Sequence, residues 1–434
     1  MRTSEKAATL APQVSSARGW LVTFSGTGIN LMLGVLYTWS VFKTELLKDT
    51  AQGGWGWSAA QGGIPYAAAC LLFALAMIPA GRLQDRFSPR LVATIGGVLV
   101  GAGMLLCWLA GNSFTAITIG FGILVGTGIG FGYASATPPA IKWFPPRRTG
   151  LIAGLVVGGF GLAAVYMSPL ANALLKTVGL QKTFLILGIA FFAIVILLAQ
   201  LLKIPPAGYK PVDARAVAGK KVVVHGQEMT WIQMLKTPQF YLLWLMYFCA
   251  AGVGLMMIGQ IANIAKSPGV RLGLPLLGIL CVSFMGVGNG AGRIVAGFMS
   301  DRIGRTWTMF SVFLFQALML GVLLMMASNA VAVLYVIVFI LVGFNYGACL
   351  SVFPSATKDY FGLKNFGINY GFVFTSWGIG AFILTLIAGK IITPLPDGTL
   401  DYSKAFIVGI AVLVVAMILT FVTKPPKHHT QPAQ

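Results

Sequence analysis

The stretch that decides the fold reads Val282-Ser-Phe-Met-Gly-Val-Gly-Asn289-Gly-Ala-Gly-Arg293-Ile-Val-Ala-Gly-Phe-Met-Ser-Asp301-Arg302-Ile-Gly-Arg305. It is a long apolar run that holds one arginine and ends on a short charged turn. If the run spans a bilayer, Arg293 lies well inside the hydrocarbon, where an arginine costs roughly 2.5–3.5 kcal/mol on insertion scales. A residue kept at that cost faces a cavity or a partner. Two partners suit a guanidinium there. One is a backbone carbonyl of a neighbouring helix, which it would cap; the other is an anionic substrate, which it would dock.

Composition supplies the bilayer. Of 434 residues, 57% are hydrophobic and 9% charged, with a mean hydropathy of +0.85, whereas a soluble domain carries about 25% charged residues. Apolar runs of spanning length recur throughout. Twelve are expected, near 19–42, 60–82, 91–111, 114–140, 149–175, 183–203, 239–265, 274–298, 307–327, 330–357, 366–392 and 403–423. Residues 1–18 are polar and the first run lacks a small-residue cleavage site, so that run reads as a helix rather than a removable signal. The fold class is an all-α membrane protein. Its expected parts are a tail at 1–18, six helices over 19–203, a linker at 204–238, six helices over 239–423 and a tail at 424–434. The linker holds Pro205, Pro206, Pro211 and several basic residues, and it is too long for a turn between adjacent helices.

A net charge of +20 raises a nucleic-acid reading, which the placement of the charges rejects. The side that holds the N-terminus receives 21 of the 30 lysines and arginines, including Arg82, Arg86, Arg90, Lys142, Arg147, Arg148 and six from Lys203 to Lys236. Eight fall on the other side, among them Lys43, Lys48, Lys176 and Lys404. This positive-inside pattern puts both termini and the linker in the cytoplasm, with the plasma (bacterial inner) membrane as the expected location. The five cysteines lie in spans without paired spacing and read as packing residues. His225, His428 and His429, in linker and tail, build no metal set, and no cofactor is expected. No nucleophile–base pair lies in the spans, which argues against an enzyme.

The chain repeats itself at half its length. Gly81-x-x-x-Asp85-Arg86 returns as Gly297-x-x-x-Asp301-Arg302, and Gly154-Leu-Val-Val-Gly-Gly-Phe-Gly161 returns as Gly371-Phe-Val-Phe-Thr-Ser-Trp-Gly378. A duplicated six-helix unit with a cavity between the copies is a known way to build alternating access at the midplane. Asp85 and Asp301 sit at helix C-termini, where a carboxylate opposes the dipole. Paired with Arg86, Arg302 and Arg305, or with a neighbouring helix N-terminus, they would form a charge lock that holds the halves closed on the cytoplasmic side and breaks when they rock.

These turns resemble the loop 2–3 and loop 8–9 signatures of the major facilitator superfamily, and the resemblance runs from residue 19 to 423. Gly34-Val-Leu-Tyr37-Thr-Trp39, Lys142-Trp-Phe-Pro-Pro-Arg147-Arg148 and the position of Arg293 in helix 8 are similar to its monocarboxylate transporter and oxalate:formate antiporter branch. Arg293 offers a planar fork suited to bidentate carboxylate binding, and Asn289 lies one turn earlier on the same face. By resemblance, Leu36, Tyr37, Tyr133, Phe160, Tyr346, Phe374 and Trp377 supply the other walls. Each aromatic taken alone also reads as helix packing. The antiporters carry a lysine in helix 11 where Trp377 stands, so one cation for one carboxylate is expected. The animal monocarboxylate transporters have an aspartate where Asn289 stands, so a proton relay like theirs is not implied. None of the ten Asp and Glu residues falls at mid-membrane. The expectation is a secondary transporter of lactate- or pyruvate-sized anions, working as a monomer by proton symport or anion exchange. Oxalate/formate exchange is the nearest rival, and a non-transporting membrane sensor or scaffold is the rival of another class.

Overall fold

The protein is described by a computed structural model that covers residues 16–144, 149–206, 209, 228–326, 331–362, 365–396 and 399–426. Arg147, Arg148 and most of the expected linker lie outside the described residues, as do the side chains of Asp85 and Asp301. In chain order the helices are α1 (Ser16–Leu33), a 3₁₀ segment (Gly34–Thr38), α2 (Trp39–Leu47), α3 (Ala59–Arg86), α4 (Pro89–Leu109) and α5 (Phe114–Ile117). A π segment (Thr118–Val125), α6 (Gly126–Lys142), α7 (Thr149–Ala199), α8 (Trp231–Leu235), α9 (Pro238–Ile258), α10 (Ile261–Ile264) and α11 (Lys266–Arg271) follow. The chain continues with α12 (Leu277–Ile303), α13 (Arg305–Met326), α14 (Ala332–Phe361), α15 (Phe366–Ile391) and α16 (Ser403–Val422).

Among the described residues, eleven helical stretches are long and apolar enough to cross a membrane. One of them, Leu151–Ala199, is 49 residues long and breaks at Gly179, whose φ of 79° only glycine adopts freely. It therefore carries two crossings, and the architecture is twelve helices in two six-helix repeats. Helix starts follow local chemistry. Ser58 and Gln61 form a capping box on α3, while Ser88 and Thr237 cap α4 and α9 just ahead of Pro89 and Pro238.

Two departures from regular helix position the interior. The 3₁₀ segment interrupts the first crossing at Leu36 and Tyr37, and the π segment widens the fourth crossing about two to four turns before Tyr133. Between the halves, α3 packs on α15 and α7 on α12. Gly378 lets α15 reach Cys70 and Ala74, and Gly286 lets α12 reach Gly161 and Ala164. Within the second half α12 and α14 lie backbone to backbone: a Cβ at Gly347 would overlap the Asn289 carbonyl, and one at Gly288 the Ile340 carbonyl. Lipid tails give helices no hydrophobic reason to associate, so close approach of small residues does that work.

Sequence boundaries shift in three places. The first crossing runs on to Leu47, which takes Lys43 out of the expected loop and buries it completely. The seventh ends at Ile258, short of 265, and gives way to the α10 and α11 turns. The linker ends in α8, which is tied to the second half by Met229: its N–H donates to the Phe361 carbonyl, and Asn365 and Asn369 donate to its carbonyl at 3.0 Å. All five cysteines are buried and free.

The α12–α14 contact carries the helix that holds Arg293, so it sets a stability test. Gly347→Ala is expected to cost about 1–3 kcal/mol through overpacking, whereas Gly321→Ala, with nothing within 4 Å of its added methyl, leaves stability unchanged or raised. Thermal unfolding of the purified variants in one detergent checks both.

Candidate substrate site

Arg293 lies about 24 Å along α12 from Leu277 and about 15 Å from Ile303, at 1.5 Å rise per residue. It is 5% exposed. Its Nη1 donates to the Val157 carbonyl of α7 at 2.7 Å, and its Nε donates to Asn289 Oδ1 at 3.2 Å. Both alternatives raised by the sequence are therefore in play: the guanidinium caps a carbonyl of the other half, yet Nη2 makes no hydrogen bond, and neither does Asn289 Nδ2. Room for the pair comes from Gly161, where a Cβ would stand 3.3 Å from Arg293 Nε and from Asn289 Oδ1.

No carboxylate among the described residues is paired with Arg293. Among the described residues the ion pairs join Lys48 to Glu45, and Arg305 and Lys358 to Asp359. What surrounds Arg293 is neutral phenol: Tyr133, Tyr37, Tyr346 and Tyr247 all lie within electrostatic range. A buried charge costs several kcal/mol unless it is paired and hydrogen-bonded, and Nη2 of this one has no hydrogen-bond partner.

The expected walls come together. Tyr37 and Tyr346, one from each half, meet hydroxyl to hydroxyl at 2.7 Å, and Trp377 Nε1 donates to Tyr346 Oη at 2.8 Å. Tyr37 sits edge-on to Phe160 with ring centroids 5.0 Å apart, and Tyr133 edge-on to Phe160 at 5.3 Å. Phe374 stacks on Trp377 at 5.0 Å and lies parallel to Tyr133 at 6.4 Å. Leu36, Tyr37, Phe160, Tyr346, Phe374 and Trp377 are buried, while Tyr133 is half-buried. The 3₁₀ segment turns Tyr37 toward the second half, and the α1–α7 approach at Gly34, where a Cβ would overlap Ala163, sets its depth.

Phe73 joins these walls and was not singled out by sequence. It touches Tyr133, Phe160, Phe374 and Trp377, with centroids between 5.0 and 5.7 Å. Tyr247 and Tyr370 flank Phe374 at 6.1 and 5.6 Å. None of the three carries a motif. Their signal was only an aromatic inside a span, which the sequence offers many times over.

Of the charged turns, the side chains of Arg86, Arg302 and Arg305 are described. Arg86 and Arg302 are exposed, and each lies over a phenylalanine of its own turn, Phe87 at 5.6 Å and Phe298 at 4.1 Å. Arg305 donates to Asp359 at 2.7 Å and also to Ser300, and so ties the α12–α13 turn to the end of α14 within one half.

The Tyr346 hydroxyl is the knot between halves. Tyr346→Phe leaves the Trp377 N–H without an acceptor and removes the Tyr37 hydroxyl's partner across the halves, an expected loss of about 1–3 kcal/mol. Chemical or thermal unfolding of the purified parent and variant in one detergent checks the loss.

Comparison with known proteins agrees with this geometry. The Major Facilitator Superfamily pattern matches residues 19–291 and 272–434. The chain is 30% identical over 366 residues to the uncharacterized MFS-type transporter YhjX of Escherichia coli (strain K12), covering 83% of this chain and 85% of that one. It is 29% identical to the oxalate:formate antiporter of Oxalobacter formigenes, covering 82% of each. The apicoplast pyruvate carrier 1 of Toxoplasma gondii is more distant, at 21% identity over 70% of this chain and 64% of that one. With its two six-helix repeats and the family pattern along nearly its whole length, the chain belongs to the Major Facilitator Superfamily of membrane transporters.

Proposed function

We propose that this transporter carries small monocarboxylates of the lactate and pyruvate type, docked on Arg293 and moved by alternating access. The observation that carries the proposal is the buried guanidinium with a free Nη2 and no acidic partner among the described residues. A carboxylate oxygen on Nη2, with its mate on the remaining Nη1 hydrogen or the free Asn289 amide, makes a charge-assisted pair. The pair is electrically neutral, so it tolerates enclosure between apolar walls. Phe160, Phe374, Trp377 and Phe73 provide those walls. Tyr37 and Tyr346 close the site toward the face opposite the termini, and parting of their hydroxyls opens it that way.

Trp377 decides the charge of the substrate. It fills the helix 11 position with an indole committed to Tyr346, so the site offers one fixed cation. A dianion would carry an unpaired negative charge into the occluded state. The described acidic residues Glu45, Asp49, Glu228, Asp359 and Asp401 all stand away from Arg293, near helix ends or outside crossings. Among the described residues, no side-chain carboxylate is therefore available beside the site to relay a proton. Coupling is by anion exchange, or by a proton that rides with the substrate. A second reading, exchange of oxalate for formate, draws on the similarity to the antiporter of Oxalobacter formigenes. Both readings place the termini in the cytoplasm on the positive-inside asymmetry and take a monomer as the working unit.

Uptake into proteoliposomes distinguishes them. Unlabelled lactate and pyruvate are expected to compete with labelled lactate at least ten-fold more effectively than oxalate or succinate. Trp377→Lys is expected to narrow or invert that order. Accumulation of oxalate by the unmutated protein, driven by internal formate, overturns the monocarboxylate reading in favour of exchange.

A further inference from the structure

We propose that Lys43, with Asn263, forms a second carboxylate site at the face opposite the termini, which receives the substrate anion on its way to Arg293. This rests on the carboxylate reading of the Arg293 site. Lys43 stands one turn before the end of α2 and is 0% exposed, and its Nζ donates to Gln260 Oε1 at 3.0 Å. Gln260 is neutral and belongs to the other half, in the turn between α9 and α10. No Asp or Glu is paired with Lys43 among the described residues; the carboxylate closest in sequence, Glu45, is held by Lys48 at 2.7 Å. An ammonium has three donors, and only one of them has a partner here. Asn263 beside it is also buried: its Oδ1 meets Thr44 Oγ1 at 3.3 Å, and its Nδ2 has no partner.

The surroundings are shaped for the lysine. Gly62 and Gly63 of α3 flank its stem, and a Cβ at Gly62 would stand 3.0 Å from Lys43 Cε and Cγ. As a bolt between halves the arrangement is poor physics, because an apolar side chain would fill the same space without burying a charge against a neutral amide. As an anion station it is sound. The cluster spans the halves where they must part for an anion to reach Arg293 from this face, beside the Tyr66 bond to the Leu255 carbonyl at 3.1 Å. When Gln260 withdraws, the ammonium and the Asn263 amide face the opening together. Lys266, near Lys48 and Glu45 at the rim, adds positive potential. Six residues separate Lys43 from Tyr37, about 9–12 Å of helix. That spacing from a wall of the Arg293 site makes Lys43 a separate station rather than the missing second cation.

The test is labelled lactate uptake by intact cells producing the full chain, as parent, Lys43→Gln, Lys43→Arg and Gln260→Ala, with lactate binding to each purified protein in detergent. Lys43→Gln is expected to raise KM for uptake at least five-fold, flatten the fall of kcat/KM with salt, and leave detergent binding at Arg293 within two-fold. Lys43→Arg restores both KM and salt dependence, and Gln260→Ala, which frees the ammonium, keeps KM at or below the parent value. An unchanged KM and salt dependence in Lys43→Gln overturns the proposal. So does equal loss of rate in the Gln and Arg variants at unchanged KM, which marks a purely structural lysine. A parent protein that neither binds nor imports lactate sinks the carboxylate reading and this site with it, a result separable from any behaviour of the Lys43 variants.

Discussion

A guanidinium held away from water with part of its fork unpaired is the constraint on which the rest of the structure depends. Arg293 is joined to Val157 across the halves and to Asn289 on its own helix, its Nη2 has no partner, and four phenols lie within electrostatic range of it. The α12–α14 contact, in which glycines replace side chains, holds the helix rigid enough to keep that arrangement. Gly161 opens the space in α7 that the pair occupies. A protein interior tolerates such a charge when something completes its pairing, and under the proposed function that something is the cargo.

The same economy of charge marks the end of the pathway opposite the termini. Cross-half hydrogen bonds at Tyr37–Tyr346, Tyr66–Leu255, Lys43–Gln260 and Thr44–Asn263 lie between the site and the face opposite the termini. Each is a single bond between neutral groups or from one cation to a neutral amide, worth about 0.5–3 kcal/mol net. Closure built of several weak contacts is reversible within the free energy that substrate binding supplies. The 3₁₀ break at Gly34–Thr38 holds Tyr37 and leads directly into α2, which holds Lys43, so a modest rotation at the break re-aims both.

Much of this was legible in the sequence, and the reasons are physical. Twelve spans followed from hydropathy, since a lipid core demands long apolar helices. Arg293 stood out because ionisable groups are rare at that depth, and the walls Tyr37, Tyr133, Phe160, Tyr346, Phe374 and Trp377 came from resemblance and meet in space. Phe73, Tyr247 and Tyr370 escaped notice because an aromatic within a span has no distinguishing chemistry until its neighbours are known. Lys43 was misplaced for a sharper reason: a cation near the end of an apolar run marks the membrane boundary in a hydropathy profile, so the profile ended the helix one turn too early. The pairing of Arg305 with Asp359 was likewise out of reach, because 54 residues separate the partners.

The central claim is that Arg293 receives one carboxylate through its forked donors. Calorimetric titration of the purified protein with lactate, in a buffer free of carboxylates, tests it most directly when run beside Arg293→Lys, which keeps the charge but loses the fork. The account expects saturable binding of one lactate per chain in the parent, and at least a ten-fold weaker affinity in a monodisperse Lys variant. Equal affinity in the two proteins would contradict it.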